Sequence, residues 1–381
     1  MRSKRQIGAA LLAAVTALLL GYLVYFVIEH ALTAIWVDVP AMFGDSPLWF
    51  APAVLIPSAA LVYLIRRHLG DYGHSPLAGI TLSSLSPREY GPVIATIAVS
   101  LIGGAVLGPE VALVSTGSVV GYVVGRWLKA PDQRKIVAAG AGGAILALIV
   151  GPLLSGSFAL SDRPDGIQVE DLAWAVPVAL VVAIIVALAR AIGIAISRIA
   201  GGGPHLGALL AAAVLIAAGA MGFQAITGQS FALIPTSGAE YLDDLSSITV
   251  AGTLLLLVVI KALAYAVSLG AGFAGGPFFP AMFLGAAGGV WGAMVLPAAP
   301  HPTAAAAVGV TAASIMTARM PWVAVIGLSV LIGFAVGGWI ALAPALLGGI
   351  TAALIGRGLS RWIHADQHKG EDDEIDEMSI R

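Results

Sequence analysis

One acidic residue is unusual for the apolar sequence in which it occurs. Glu110 is the only carboxylate between Gly91 and Pro131, and it follows a glycine-rich stretch that ends at Gly108 and Pro109. An ionisable group in such surroundings indicates a functional site. Because proline is favoured in the first turn of a helix, we expect Glu110 to lie at a helix start, where free amides attract anions. The carboxylate would then compete with a mobile anion for one site.

A second glycine-rich stretch that contains a proline follows in the other half of the chain, around Pro277. Interrupted segments at corresponding positions of two halves indicate an inverted-repeat transporter, in which the starts of two half-helices meet near the middle of the membrane. We therefore expect the helix starts near Glu110 and Phe278 to converge on one anion.

The composition places these segments in a membrane. Of the 381 residues, 59% are hydrophobic and 10% are charged, and the mean hydropathy is +0.96. A soluble globular protein could not bury so much apolar surface. The formal net charge of −2 argues against a nucleic-acid partner, for which a basic face is expected. Cysteine is absent, which excludes disulfides and thiolate metal sites, and no cofactor is expected.

The apolar segments predict an all-α polytopic membrane protein with membrane lipid around it. The first segment, Ile7 to Ile28, is interpreted as a retained span. Several later segments are too long, too short or too rich in Gly and Pro for a simple helix of about 20 residues, which indicates tilted, broken and re-entrant helices. We predict a first repeat over residues 7–200, a linker over 201–205 and a second repeat over 206–363.

The cations predict the orientation. They concentrate before Gln6, at Arg66 and Arg67, in the segment from Arg126 to Lys135, and from Arg357 to Arg361. Positive residues favour the cytoplasmic side of a membrane. Both termini are therefore predicted to be cytoplasmic, residues 1–6 as a short N-terminal segment and 364–381 as an acidic tail, in a bacterial-type inner membrane.

Three motifs occur in the same order and with the same spacing in one known family. The segment Gly276-Pro277-Phe278-Phe279-Pro280 matches G-x-F-x-P. Leu107-Gly108-Pro109-Glu110 is similar to G-K/R-E-G-P, with proline in the basic position and Val111-Ala112 in place of Gly-Pro. Asp71 to Pro76 lies where the family has G-S-G-I-P. From Ile7 to about Ile363 the chain resembles the CLC chloride channels and proton-coupled chloride antiporters, in particular a divergent bacterial branch.

The resemblance implies a CLC-like inverted repeat and a homodimer with one pore in each subunit. It implies that chloride or a similar small anion and protons are the partners, and that Glu110 is the external gate and proton carrier. The anion would be held mainly by backbone amides at the two helix starts. The positions that correspond to this site are Gly108, Glu110, Val111, Gly276, Phe278 and Phe279.

The chain departs from the family pattern at four further positions. Pro277 has no N–H to donate beside Phe278. The family's serine falls on Gly73, so that Ser75 would supply a hydroxyl only after a shift in register, and the late pore tyrosine corresponds to Ser360. The internal proton-accepting glutamate corresponds to Asp162, which can also be interpreted as a solvated loop acid. Chloride selectivity and proton coupling therefore remain open.

Several functions are compatible with these residues. A charged Glu110 would block the pore and a protonated one would leave room for an anion, which would link the two fluxes. The alternatives are a passive anion channel, a transporter selective for fluoride or nitrate, and a structural or lipid-scrambling protein without transport. An enzyme is not expected, since neither an H-E-x-x-H, a G-x-S-x-G nor a nucleotide-binding P-loop motif occurs.

Four isolated cations occur in or beside apolar sequence. Lys261 could attract anions towards the pore, or its side chain could extend to the membrane interface. Arg190, Arg198 and Arg319 are interpreted as loop or interface anchors.

Overall fold

The computed structural model describes residues 2–44, 47–72, 75–79, 86–155, 168–201, 205–297, 300–318 and 320–359. The regular secondary structure of these ranges is helical and includes no strand, apart from one isolated bridge between Gly108 and Gly276. Seven helices among them are long and apolar enough to cross a membrane. The predicted all-α polytopic fold class is confirmed. Asp162 and Ser360 lie outside the described residues.

Six helices precede residue 156 in the described part of the chain. They are α1 (Arg2–Thr33), α2 (Val39–Ala41), α3 (Phe50–Leu69), α4 (Pro87–Ile102), α5 (Glu110–Trp127) and α6 (Gln133–Ser155). The later helices are α7 (Val169–Ala173), α8 (Ala175–Ile199), α9 (Leu206–Thr227), α10 (Ala251–Gly270), α11 (Phe278–Val295), α12 (Pro302–Thr317) and α13 (Trp322–Gly337). A last helical segment covers residues 342–359.

The helix starts follow local sequence signals. α4 begins at Pro87 directly after Ser86, whose amide donates to the Glu89 carboxylate at 2.8 Å and completes a capping box. α5 and α11 each begin directly after a proline, at Glu110 and Phe278. Proline suits this place because its fixed φ is already helical and its missing N–H would have no partner there.

Two groups of helices pack in the same way. In the first group α5 packs against α6, α1 and α4, and α4 also packs against α3. In the second group α11 packs against α12, α8 and α10, and α10 also packs against α9. The groups meet where α3 contacts α9. α8 thus packs in the second group although it precedes the predicted linker at 201–205, and the predicted domain limits stay a prediction.

Glycines allow the closest helix contacts in both groups. A Cβ on Gly117 of α5 would lie 2.3 Å from the carbonyl oxygen of Gly140 on α6. A Cβ on Gly285 of α11 would lie 2.2 Å from the carbonyl oxygen of Gly309 on α12. Since any side chain would push these helices apart, the high glycine content is explained by backbone-to-backbone packing inside the bundle.

The N-terminus and the connection between α5 and α6 lie on the same side of the bundle. Gln6 donates to the carbonyl of Asp132 at 2.9 Å and accepts from the Asp132 amide at 3.1 Å. Both segments carry clusters of cations, in agreement with their prediction as one face. That this face is cytoplasmic stays a prediction.

Candidate functional site

The two bends that precede α5 and α11, residues 103–109 and 271–277, lie directly against each other. The Gly108 amide donates to the Gly276 carbonyl at 2.7 Å, and the Gly276 amide donates to the Gly108 carbonyl at 2.7 Å. This reciprocal pair joins two half-helices that are far apart in the sequence. The starts of α5 and α11 are therefore fixed beside each other, as the sequence predicted.

Two buried serines reinforce the junction from the preceding helices. The Val106 amide donates to Ser268 Oγ of α10 at 3.0 Å. The Ala274 amide donates to Ser100 Oγ of α4 at 3.1 Å. Each bend is thus held by a hydroxyl from the other half of the chain. Sequence reasoning did not identify these serines, because one serine in an apolar helix gives no distinctive pattern.

The Glu110 carboxylate fills the space between the bends. The residue is fully buried, and its Oε1 accepts a hydrogen bond from the Phe278 amide at 2.5 Å. Its Oε2 is buried without a hydrogen-bond partner. A Cβ on Gly108 would lie 2.1 Å from Oε2, and one on Gly276 would lie 1.9 Å from the carboxyl carbon. Glycine at both positions leaves the room that the carboxylate occupies.

The neighbouring positions complete the two helix starts. Val111 and Phe279 are the second residues of α5 and α11, and both are buried. Pro277 offers only a carbonyl, which accepts a hydrogen bond from the hydroxyl of Tyr265 at 2.7 Å. Tyr265 is itself fully buried on α10. Its contribution was not predicted; the only signal was a hydroxyl-bearing aromatic residue in a predominantly apolar helix.

A cavity of about 650 Å³ opens beside Glu110. Phe278, Phe279 and Arg190 line it, together with Leu77. Ser75 is exposed and does not line this cavity, so that the structure does not bring it to the other predicted site residues. At this part of the chain the 3-10 turn at Pro76–Ala78 contributes Leu77 to the cavity wall instead.

The interpretation of Arg190 as an interface anchor is wrong. Its Nη2 donates to the carbonyl of Leu77 at 3.2 Å, and its Nη1 is buried without a hydrogen-bond partner. The side chain is on the cavity wall because α8 packs against α11 and against the 3-10 turn at Pro76–Ala78. Arg198, two turns further along α8, is exposed, and Arg319 lies outside the described residues.

Neither interpretation of Lys261 agrees with the structure. The side chain is fully buried on α10, and its Nζ donates to the carbonyls of Leu233, Pro235 and Thr236 at 3.0, 2.9 and 3.2 Å. It also lies 4.8 Å from the centre of the Phe283 ring. The ammonium group therefore fixes the connection between α9 and α10, because this connection turns its carbonyls inwards where water cannot satisfy them.

Comparison with known proteins identifies the fold. No family model and no curated protein matches the sequence. Among solved structures, a slow cyanobacterial Cl⁻/H⁺ antiporter has a TM-score of 0.73 at 16% identity and covers 93% of this chain and 95% of its own. A eukaryotic CLC transporter has a TM-score of 0.66 at 18% identity, over 93% of this chain and 72% of that one.

A CLC-type fluoride/proton antiporter has a TM-score of 0.61 at 17% identity and covers 92% of this chain and 96% of its own. Each of the three matches covers more than nine-tenths of this chain. The chain is a multi-pass membrane protein with the fold of the CLC transporters.

Proposed function

We propose that this protein transports a small anion, chloride in the first place, across the membrane in exchange for protons, with Glu110 as the gate. The observation that carries the proposal is the buried Glu110 carboxylate on the Phe278 amide, at the junction of two half-helices. The fold of the protein, and its similarity to two proteins described as anion/proton antiporters, support the proposal.

Gating would follow from competition between the Glu110 carboxylate and the anion for one hydrogen-bond donor. A charged Glu110 occupies the Phe278 N–H, which is also a donor that an entering anion would use. A protonated Glu110 has no charge to hold it there, so that its side chain can leave and an anion can take its place. Because the amide serves either the carboxylate or the anion, each exchange of the two requires a change in the protonation of Glu110, which links the fluxes.

The remaining amides proposed for the anion are those of Val111 and Phe279. The amides of Gly108 and Gly276 donate to each other's carbonyls, so these two glycines are proposed to give the anion space rather than donors. Neutral amides suit a transporter because they replace the anion's water without binding it too tightly for release. The contributions of Asp162 and Ser360, the homodimer and the cytoplasmic position of both termini stay predictions.

Fluoride is a second candidate substrate. One of the structurally similar proteins is described as a fluoride/proton antiporter, and Pro277 removes one amide from the helix start that would bind the anion. A passive anion pore would use the same junction without linked proton movement.

The test replaces Glu110 by Gln in purified protein reconstituted into liposomes. In the wild type, an imposed chloride gradient should drive proton movement that a pH-sensitive dye reports. Glu110→Gln should abolish this proton movement while chloride flux remains or increases, since the amide side chain cannot carry a proton. Asp243→Asn is the matched control, because Asp243 is an exposed acid outside the helices that form the site.

Three results separate the alternatives. Proton movement that persists in Glu110→Gln would remove Glu110 from its proposed role. Anion flux without any proton movement in the wild type would indicate a passive pore, and a series of chloride, fluoride and nitrate gradients would rank the substrates. Absence of flux for all three anions would contradict anion transport. Movement of labelled lipid in the same liposomes would then indicate a lipid-scrambling protein.

A further inference from the structure

We propose that Arg190 forms a second anion site, at the neck between two cavities, which a small inorganic anion occupies before it reaches Glu110. The inference rests on the proposed function, since it describes the route to the same gate. It assigns to Arg190 the role of attracting and positioning the anion on the side of the protein where Arg357 lies.

The first observation is the place of Arg190 between two cavities. The larger cavity, about 650 Å³, contains Glu110 on its wall. A second cavity of about 360 Å³ contains Arg357 on its wall. Arg190 lines both, as do Thr317, Ala318 and Met320. These shared residues form the boundary that an anion would cross between Arg357 and Glu110.

The second observation is the free hydrogen-bonding capacity of the guanidinium group. Nη2 uses one N–H on the Leu77 carbonyl, whereas Nη1 is buried without a partner. In the described part of the chain, Arg190 forms no ion pair with a carboxylate. A buried charged donor without an acceptor is costly, and an anion is the ligand that would satisfy it with a strong, charge-assisted hydrogen bond.

The third observation is the composition of the larger cavity. Among the described residues that line it, Arg190 and Glu110 are the only ionisable ones. The Thr317 hydroxyl donates to the Ser314 carbonyl at 2.8 Å, so that its proton is not available to an anion. The other described walls are apolar side chains or the backbone of the turn beside Leu77. Apolar surroundings strengthen the attraction between a cation and an anion.

The two ionisable residues of this cavity also remain separate. Glu110 uses its carboxylate on the Phe278 amide, and no salt bridge joins it to Arg190. Arg190 is therefore free to hold an anion while Glu110 still closes the helix starts. Arg357 is held differently, by a hydrogen bond to the Met320 carbonyl at 3.3 Å and by stacking 3.9 Å from the Trp322 ring.

The test compares Arg190→Gln with Arg198→Gln. Arg198 is the matched control because it lies on the same helix, is exposed and lines none of the cavities described above. With chloride supplied from the Arg357 side of reconstituted liposomes, Arg190→Gln should raise the half-saturating concentration about tenfold, as expected for the loss of one charged hydrogen bond. Arg190→Lys should restore part of the affinity, and Arg198→Gln should match the wild type. The ratio of protons to anions should not change in any of the three.

A second measurement uses the unaltered protein, in case Arg190→Gln does not fold. Phenylglyoxal modifies arginine side chains, and mass spectrometry reports the rate at each position. Chloride should slow the modification of Arg190 and leave that of Arg198 unchanged. Half-maximal protection should occur near the chloride concentration that half-saturates the flux.

The outcomes distinguish this site from the proposed function. If the wild type transports chloride but Arg190→Gln and Arg198→Gln have equal half-saturating concentrations, the Arg190 site is wrong and the transport function remains. If the wild type carries no flux but chloride protects Arg190 from modification, the site remains and the transport function is wrong. Absence of protection at saturating chloride overturns the site by itself.

Discussion

The bend between α4 and α5 and the bend between α10 and α11 have matching backbones but different chemistry at one position. Glu110 and Phe278 begin helices of 18 residues each and are separated by 168 positions. The glycines that form the reciprocal backbone pair and the serines that hold the opposite bend have the same separation. The first bend supplies a carboxylate where the second supplies a phenylalanine.

This difference shows how one repeated geometry can serve two purposes. The backbone of the second bend provides the Phe278 N–H, and the side chain of the first bend provides the acceptor that occupies it. The second bend also has support that the first lacks, since Tyr265 donates to the Pro277 carbonyl while Ile97 occupies the equivalent position in α4. The segment that supplies the donor is thus held by a side chain of α10, whereas the Glu110 carboxylate is held by its hydrogen bond to the Phe278 amide.

Of the changes that test the comparison of the two bends, Gly276→Ala and Gly108→Ala should have the largest effect on transport. A Cβ on Gly276 would lie 1.9 Å from the Glu110 carboxyl carbon, and the three nearest atoms all belong to Glu110. A Cβ on Gly108 would lie 2.1 Å from Oε2 but also 2.9 Å from the Cβ of Phe279. Both substitutions should displace the carboxylate and abolish proton-linked flux in liposomes.

The two glycine variants should differ once Glu110 is absent. Adding Gly276→Ala to Glu110→Ala should change neither anion flux nor thermal stability further, because the clashing side chain has been removed. Adding Gly108→Ala should still lower stability, because the contact with Phe279 remains. Gly142→Ala is the control, since a Cβ there meets no atom within 4 Å. Equal behaviour of the two double variants would contradict the assigned contacts.

An intermediate effect is expected from Ser100→Ala and Ser268→Ala. Each removes the acceptor of a buried amide in the opposite bend, which should lower the free energy of unfolding by about 1–3 kcal/mol. If the two bends are equivalent in structure, the two losses should be similar. Chemical unfolding of the purified protein in detergent measures them.

The control for the serine variants is Ser314→Ala. Ser314 is equally buried, but its hydroxyl donates to the Val310 carbonyl of its own helix. Its removal leaves no amide of another element without a partner and should cost less than either of the other changes. A much larger loss for one of Ser100 and Ser268 than for the other would show that the two bends are unequally dependent on the cross-links.

The smallest effect concerns the connections that follow the two half-helices. After α5, Asp132 is partly exposed, and the hydrogen-bonding Lys135 side chain holds the pKa of its carboxyl below the usual range. After α11, the His301 amide instead donates to the buried Asp171 carboxylate at 2.8 Å. Asp132→Asn should therefore lower the Tm only slightly at neutral pH.

The pH dependence of this small effect has a definite sign. Because the folded state has the lower pKa, the stabilisation by Asp132 is complete above the pKa of an unfolded aspartate, about 4, and is lost as the pH falls through the folded-state pKa. The difference in Tm between the wild type and Asp132→Asn should therefore disappear in acid. A difference that grows as the pH falls would contradict this interpretation.

Much of the site was accessible from sequence because it depends on backbone restrictions that particular residues impose. Gly108 and Gly276 leave space for the carboxylate, and Pro109 and Pro277 directly precede the helix starts. An acid such as Glu110 is costly in apolar sequence unless it has a function. The roles of Ser100, Ser268 and Tyr265 could not be predicted, because each depends on which segment of the other half packs against it. Ser75 was assigned by motif position alone; it is exposed and does not line the cavity.

The sequence by itself determined that the chain is a helical membrane protein, that its helices break at two glycine–proline stretches and that a single acid begins one of the resulting half-helices. These features are local or compositional, so that spacing and residue type are sufficient. Only the tertiary structure decided that Glu110 accepts from Phe278, that Arg190 lies on the cavity wall and that Lys261 is used on loop carbonyls. The physical reason is that the partner of a buried charge is chosen by the packing of distant helices, which leaves no periodic pattern in the residues themselves.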